Sequence, residues 1–145
     1  MRAGSIKAVC LAEERGKPKQ AVPSAFIKSG YGIEGDSHAG SEDKQVSVLP
    51  TELLKPVIEQ LGSRPAPGSF AENLLVEGLD SSKIKPGTVL QAGEITLEVT
   101  GIGKAPHEHH TYSYKGFSLL ADKGIFCRVI NSGEVKENDA ISIES

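Results

Sequence analysis

The chain has 145 residues, of which 38% are hydrophobic and 24% are charged. A chain of this length can build one sizeable core, so we expect a single domain over residues 1–145. The formal net charge of −3 and the scattered basic residues argue against nucleic-acid binding. No apolar run has the length of a signal peptide or a membrane span, so we expect a cytoplasmic protein.

Short segments with alternating apolar residues recur along the whole chain. They lie near residues 6–10, 46–48, 95–99, 125–129 and 141–143. This alternation predicts strands, and the glycine, proline and asparagine clusters between them are typical of turns in a sandwich or barrel. The sequence therefore predicts a mainly β fold.

One segment breaks this pattern and predicts a helix. Five apolar side chains share one helical face: Leu53, Leu54, Val57, Ile58 and Leu61. Thr51 is the predicted N-cap, and Gly62 stands where such a helix would end. Pro56 fits only in the first turn or at a kink. We expect this helix to flank or plug the sheet.

Two segments that begin at Gly87 and Gly133 resemble each other. Each reads as strand, turn and strand, with apolar residues at matching positions. The likeness is too short to indicate duplication, but it predicts two equivalent hairpins.

The segment GIEGDSHAG, residues 32–40, places Asp36 and His38 two residues apart between glycines. Glycine allows backbone conformations with positive φ, so the segment predicts a shaped loop that displays both side chains. Such a loop is typical of a ligand-facing site. It is equally compatible with an Asx-type turn at Asp36 beside a solvent-exposed histidine.

Three further histidines crowd together after a predicted strand: His107, His109 and His110. Imidazoles at this spacing can converge on one ion, and Asp36 with His38 would complete a tetrahedral zinc site if the two loops meet. This pattern indicates a metal-dependent, hydrolase-like enzyme with Asp36 or Glu108 as general base for a bound water. A solvated His-rich loop is the alternative, because the spacing matches no strong zinc motif. The candidate catalytic residues are Asp36, His38 and His107.

The sequence has two cysteines, Cys10 and Cys127. A sulfur-transfer protein using Cys127 would need an exposed thiolate in an electropositive setting. Cys10 instead alternates with Ile6 and Ala8, and Cys127 lies in a similar apolar strand pattern. Both are therefore predicted to be buried, reduced thiols.

Three other polar residues are candidates for ligand contact. Arg128 neighbours Cys127 on a predicted strand and so points to the opposite face, where it clamps a phosphate or carboxylate or forms a surface ion pair. Glu72 and Asn73 lie between apolar neighbours, where they hydrogen-bond either an adjacent loop or a ligand.

Taken in order, six segments resemble the MOSC domain, the family named after the C-terminal domain of molybdenum-cofactor sulfurase. They are GIEGDSHAG, KQVSVL, FAENLLVEGLD, PGTVLQAGEITLEVT, IGK and GIFCRVINSGEVKENDAI. The chain is similar to the short, stand-alone bacterial or archaeal members of this family. The resemblance implies a MOSC-like β-barrel with one or a few short flanking helices. It also implies a cleft that binds the molybdenum–pterin cofactor or a precursor, or that serves cofactor delivery or sulfuration.

The resemblance assigns cofactor-binding roles to eight positions in this sequence: Gly35, Asp36, His38, Lys44, Gln45, Asn73, Lys104 and Arg128. Basic groups and loop amides suit the phosphate of the cofactor, and the other side chains suit the hydrogen-bonding edge of a pterin. The implied partners are molybdenum-cofactor biosynthesis proteins or a molybdoenzyme. The implied activity is that of a cofactor-related transferase or of a binding module without turnover. At the family level, molybdenum-ion and pyridoxal phosphate binding are also implied.

The sequence departs from the family in one place. Short members usually carry a cysteine soon after the GK dipeptide, whereas here Lys104 is followed by APHEHH. The thiol expected to carry sulfur is missing. This departure favours cofactor binding over a persulfide relay.

Overall fold

The computed structural model describes residues 3–14, 17–103 and 113–144. Within these ranges the chain forms strands β1 (Gly4–Leu11), β2 (Gln20–Val22), β3 (Ser24–Lys28), β4 (Gly32–Ile33), β5 (Val46–Pro50), β6 (Leu74–Glu77), β7 (Val89–Ala92), β8 (Ile95–Ile102), β9 (Ile125–Asn131), β10 (Gly133–Lys136) and β11 (Ala140–Ile143), and helices α1 (Lys55–Leu61) and α2 (Leu119–Lys123). Short 3₁₀ turns cover Thr51–Leu54 and Ser81–Lys83. No helix in the described ranges combines the length and the apolar character that crossing a bilayer requires.

Seven of the strands close into a barrel. Their order is β11–β7–β8–β9–β5–β6–β1, and the start of β1 pairs back with β11. Strands β5 and β6 are parallel, whereas the other neighbouring pairs are antiparallel. Strand β2 adds to the far end of β1. The prediction of a mainly β barrel with short flanking helices is confirmed.

A small sheet of β10, β3 and β4 packs on the barrel and shares its main core. Ile27, Ile33 and Val135 come from the small sheet and join barrel residues such as Ile6 and Leu97 in one fully buried cluster. The burial of Ile33 anchors β4 in this core. The glycine loop therefore leaves a rigid element at its first residues.

A second apolar cluster lies between the barrel and α1. It contains Ala8, Cys10, Leu49, Leu54, Val57, Phe70 and Leu75. The expectation that Ile6, Ala8 and Cys10 share one strand face is wrong, because Ile6 belongs to the main core. A β-bulge between Ile6 and Ala8 inserts one residue and reverses the facing of the rest of β1.

Helix α1 flanks the barrel as expected, with Val57 buried in the second cluster. Pro56 lies in its first turn, and Gly62 ends it with φ 79° while donating its amide to the Ile58 carbonyl at 2.8 Å. The prediction of Thr51 as N-cap is wrong. Thr51 opens the preceding 3₁₀ turn, which begins after Pro50 and has no side-chain cap.

The prediction of two equivalent hairpins is correct for the first segment only. Strands β7 and β8 form a hairpin in which Ala92 pairs with Ile95. Strand β10 instead pairs with β3, and β11 pairs with β7 and β1, so the two lie in different sheets. The turn between them is tied to β1, because Asn138 donates its amide to the Ile6 carbonyl and the Ile6 amide donates to Asp139.

Candidate functional site

The Asp36 carboxylate is buried against Lys19, a residue that the sequence patterns did not single out. Lys19 Nζ and Asp36 Oδ1 are 2.6 Å apart, and the two side chains are 1% and 0% exposed. The Ala12 amide also donates to Asp36 Oδ1, at 3.1 Å. Burial alone would raise the pKa of Asp36, but Lys19 and the Ala12 amide, both within hydrogen-bonding distance of the carboxylate, hold it well below its ordinary value. Asp36 is therefore an ionised carboxylate.

His38 lies at the edge of this pair and keeps 31% of its side chain exposed. Its Nδ1 atom lies 3.1 Å from Lys19 Nζ and 3.4 Å from the Ser37 hydroxyl oxygen. Lys19, Asp36 and His38 are called the ion cluster below. Within the ion cluster only the His38 imidazole is substantially open to solvent. The prediction that the loop displays Asp36 to solvent is therefore wrong.

The glycine loop holds the ion cluster through backbone contacts. The Asp36 amide donates to the Ile33 carbonyl at 3.1 Å, and the His38 amide donates to Asp36 Oδ2 at 3.2 Å. The second contact is the Asx-type turn that the sequence allowed. Gly35 has φ 88°, a conformation that L side chains rarely adopt, and a Cβ there would meet no atom within 4 Å. The loop therefore turns Asp36 inward while Gly35 borders open space.

A second loop supports Lys19 from the other side. The Lys19 amide donates to the Gly68 carbonyl at 2.9 Å, and a Cβ on Gly68 would lie 2.0 Å from the Lys19 carbonyl oxygen. The buried Glu72 carboxylate accepts the amides of Gly68 at 2.8 Å and Phe70 at 3.1 Å. Burial raises the pKa of Glu72, although these amides and the Lys19 charge oppose the rise. Glu72 thus holds the loop on which Lys19 rests.

Asn73 and Gln45 are buried, and their side chains hydrogen-bond the backbone. Asn73 Nδ2 donates to the Cys10 carbonyl at 3.1 Å, and its Oδ1 accepts the Ser47 amide at 3.0 Å. Gln45 Oε1 accepts the Val129 amide at 3.0 Å. Both side chains therefore tie loops to the barrel strands.

Two of the three predicted basic residues lie on β9 or contact it. The Lys44 ammonium is 5.8 Å from the centre of the Phe126 ring, and Arg128 forms an exposed ion pair with Glu98. Arg128 lies on the face opposite Cys127, as expected from strand alternation. Lys104, together with His107, His109 and His110, falls outside the described residues. Within residues 3–14, 17–103 and 113–144, no group of three or more histidines, cysteines or carboxylates is arranged to hold a metal ion.

Both thiols are buried, as predicted. Burial, with the nearby Glu72 charge, raises the pKa of Cys10 to about 12 despite the opposing charge of Lys19. Burial alone raises the pKa of Cys127. Neither environment favours a thiolate at neutral pH, which disfavours sulfur transfer through Cys127.

Comparison with known proteins places this fold and loop in a family. The structure is similar to the crystal structure of YuaD from Bacillus subtilis, with a TM-score of 0.75 and 20% identity over 97% of this chain and 94% of that chain. YiiM from Geobacillus stearothermophilus gives a TM-score of 0.70 and 16% identity over 98% and 75% of the two chains. YiiM from Escherichia coli gives a TM-score of 0.63 and 22% identity over 100% of this chain and 70% of that chain. No curated protein matches the sequence significantly. The sequence model of the MOSC domain matches residues 35–142, most of the chain and from the glycine loop onward, so this protein belongs to the MOSC domain family.

Proposed function

We propose that this protein is a MOSC module that binds the molybdenum–pterin cofactor or a precursor of it. In this role it holds the cofactor for a biosynthesis protein or a molybdoenzyme during delivery or sulfuration. Family membership supports this class of ligand.

The observation that carries the proposal is the ion cluster. A buried ion pair is weak support for stability, because apolar residues of similar volume often replace such a pair without loss. A perturbed carboxylate in a loop is, in contrast, a common mark of a functional site. Asp36 is such a carboxylate, and it is paired with Lys19 in a loop that borders open space at Gly35.

The chemistry of the predicted site residues fits the group. When bound, the cofactor supplies a redox-active molybdenum centre, a phosphate and a pterin with hydrogen-bond donors and acceptors. His38 offers its exposed imidazole to the pterin, and Lys44 and Arg128 offer positive charge to the phosphate. Gln45 and Asn73 act indirectly in this proposal, by holding the loops that surround the ligand.

The proposal is of binding rather than thiol chemistry. Cys10 and Cys127 are both buried with raised pKa values, so neither is suited to carry a persulfide. Any sulfur that reaches the cofactor would then come from the partner protein.

The proposal is tested by incubating the purified protein with molybdopterin and measuring the retained pterin by fluorescence after gel filtration. We expect about one pterin per chain and a clear loss of retention in Arg128→Ala, because a charge-assisted hydrogen bond to phosphate contributes about 1.5–3 kcal/mol. Lys136→Ala is the matched control, since Lys136 is also an exposed basic residue in a surface ion pair, on β10. Absence of retention by the wild type, or equal retention in both variants, would contradict the proposal.

A further inference from the structure

One nitrogen of the His38 ring is held by an ammonium group. Lys19 Nζ lies 3.1 Å from His38 Nδ1 and 2.6 Å from Asp36 Oδ1. Asp36 is ionised, and a buried carboxylate that faced an uncharged amine would be an unpaired charge. Lys19 is therefore the ammonium form, which has three donors and no acceptor.

An ammonium beside Nδ1 requires this nitrogen to be the acceptor. A neutral imidazole has one N–H donor and one acceptor nitrogen, so its proton is then on Nε2. The Ser37 hydroxyl, 3.4 Å from Nδ1, can rotate to donate as well. Asp36 Oδ2 lies 3.7 Å from Nδ1, which is too far to accept a proton from it in a hydrogen bond. The contacts around Nδ1 therefore select the Nε2–H tautomer.

This polarity, with Nδ1 as the acceptor and Nε2–H as the donor, is the reverse of that in a metal-binding histidine. A histidine that binds a metal through one nitrogen almost always donates its other N–H to a carboxylate, a carbonyl or a water. In His38 the second nitrogen faces a donor, Lys19, at 3.1 Å. Binding a metal through Nε2 would require the ring proton to move to Nδ1, against the ammonium. His38 is therefore unsuited to join a zinc site.

We propose that His38 presents its Nε2–H as a fixed hydrogen-bond donor to an acceptor atom of the bound ligand, and that Lys19 is the positioning residue that sets this polarity. The ligand class is one with an exposed carbonyl or oxyanion oxygen, or an unprotonated ring nitrogen, as in a pterin. The exposed fraction of His38 leaves the ring accessible to such an atom. The inference rests on the proposed function only for the identity of the ligand, because the ring polarity follows from contacts within the chain.

The polarity is tested without any ligand by long-range ¹H–¹⁵N correlation spectra of the histidine rings at neutral pH. The His38 signals are those that disappear in His38→Gln. We expect the pattern of the Nε2–H tautomer, with the deshielded nitrogen at Nδ1. In Lys19→Met we expect a shift toward the Nδ1–H form or a mixture, whereas Lys136→Met leaves the pattern unchanged. An Nδ1–H pattern in the wild type would overturn the assignment, even if Lys19→Met does not fold.

Two further measurements separate this inference from the proposed function. Addition of zinc chloride to the wild type should leave the ¹⁵N chemical shifts of the His38 ring unchanged. A zinc-induced change in the Nε2 chemical shift would overturn the inference. Molybdopterin affinity should fall about 2- to 10-fold in His38→Leu, the effect of one hydrogen bond, and less in His38→Gln, which keeps an N–H near Nε2. Equal losses would refute the donor role. A wild type that binds no molybdopterin would refute the proposed function alone, and the ring spectra would still decide the polarity.

Discussion

Replacing Asp36 by asparagine leaves Lys19 as a buried cation without its anionic partner. The change is nearly isosteric, so it removes charge while leaving the packing of the loop intact. Asparagine also offers one acceptor oxygen where the carboxylate offers two, whereas the Ala12 and His38 amides and the Lys19 ammonium all donate to Asp36. At least one donor therefore loses its acceptor.

The expected cost follows from burial of the pair. Lys19 and Asp36 side chains are 1% and 0% exposed, and removing one partner of a buried ion pair costs about 3–5 kcal/mol. Domains of this size shift in Tm by about 2–4 °C per kcal/mol, so we expect Asp36→Asn to lower the Tm by roughly 6–20 °C. Small domains typically have about 5–15 kcal/mol of stability, so much of the population should remain folded.

Urea unfolding measures this cost, provided that the m value is unchanged. Arg128→Ala is the control, because its ion pair with Glu98 is largely exposed and should contribute at most about 1 kcal/mol. Lys19→Met with Asp36→Asn forms a double-mutant cycle. We expect the double variant to lose much less than the sum of the single losses, since it contains no unpaired buried charge. A loss below about 1 kcal/mol in Asp36→Asn, or additive losses in the cycle, would refute the reasoning.

Three other experiments test the surroundings of the ion cluster and the buried thiols. Gly68→Ala should lower the free energy of unfolding, measured in urea, by about 1–3 kcal/mol more than Gly62→Ala. Both glycines have positive φ, but only a Cβ at Gly68 meets an atom, the Lys19 carbonyl oxygen at 2.0 Å. Equal losses would show that backbone strain alone matters. Burial raises the pKa of Glu72 from 4.5, so its contribution to stability is present below pH 4.5 and lost as the pH rises through the raised value. The stability of the wild type relative to Glu72→Gln should accordingly fall as urea midpoints are measured from about pH 4 to pH 8, and a rising difference would contradict the shift. A thiol reagent should label Cys10 and Cys127 only after unfolding, and rapid labelling of Cys127 in the native state would revive sulfur transfer.

Local patterns predicted the parts of the fold that depend on local interactions. Gly62 ends α1 as expected, because glycine readily adopts the left-handed conformation found at helix ends. The turn at Gly93 joins β7 and β8, which are adjacent in the sequence and pair directly. The burial of both cysteines followed from strand alternation, although for Cys10 the face was wrong. The bulge in β1 has no sequence signal, since the segment around Ile6 alternates without interruption.

Long-range contacts set the parts that the sequence did not predict. Strand β11 leaves β10 because it closes the barrel onto β1, more than a hundred residues earlier in the chain. Lys19 was overlooked for a similar reason. It ends a charged stretch, residues 13–19, that is typical of a solvated surface, and its partner Asp36 is 17 residues away. The sequence would indicate a role for Lys19 only if its pairing with Asp36 were already known.

Lys19 connects two segments that the sequence singles out, FAEN at residues 70–73 and GIEGDSHAG at residues 32–40. Its backbone lies on the loop that Glu72 holds, through Gly68, and its ammonium lies on the loop that carries Asp36 and His38. These two segments are therefore connected through one residue that neither of them contains. Because a buried ammonium cannot move far from its carboxylate without becoming an unpaired charge, a shift of either loop is transmitted to the other. The orientation and polarity of the exposed His38 ring are thus set by two loops together, and a ligand that contacts His38 binds to a group whose geometry is established before it arrives.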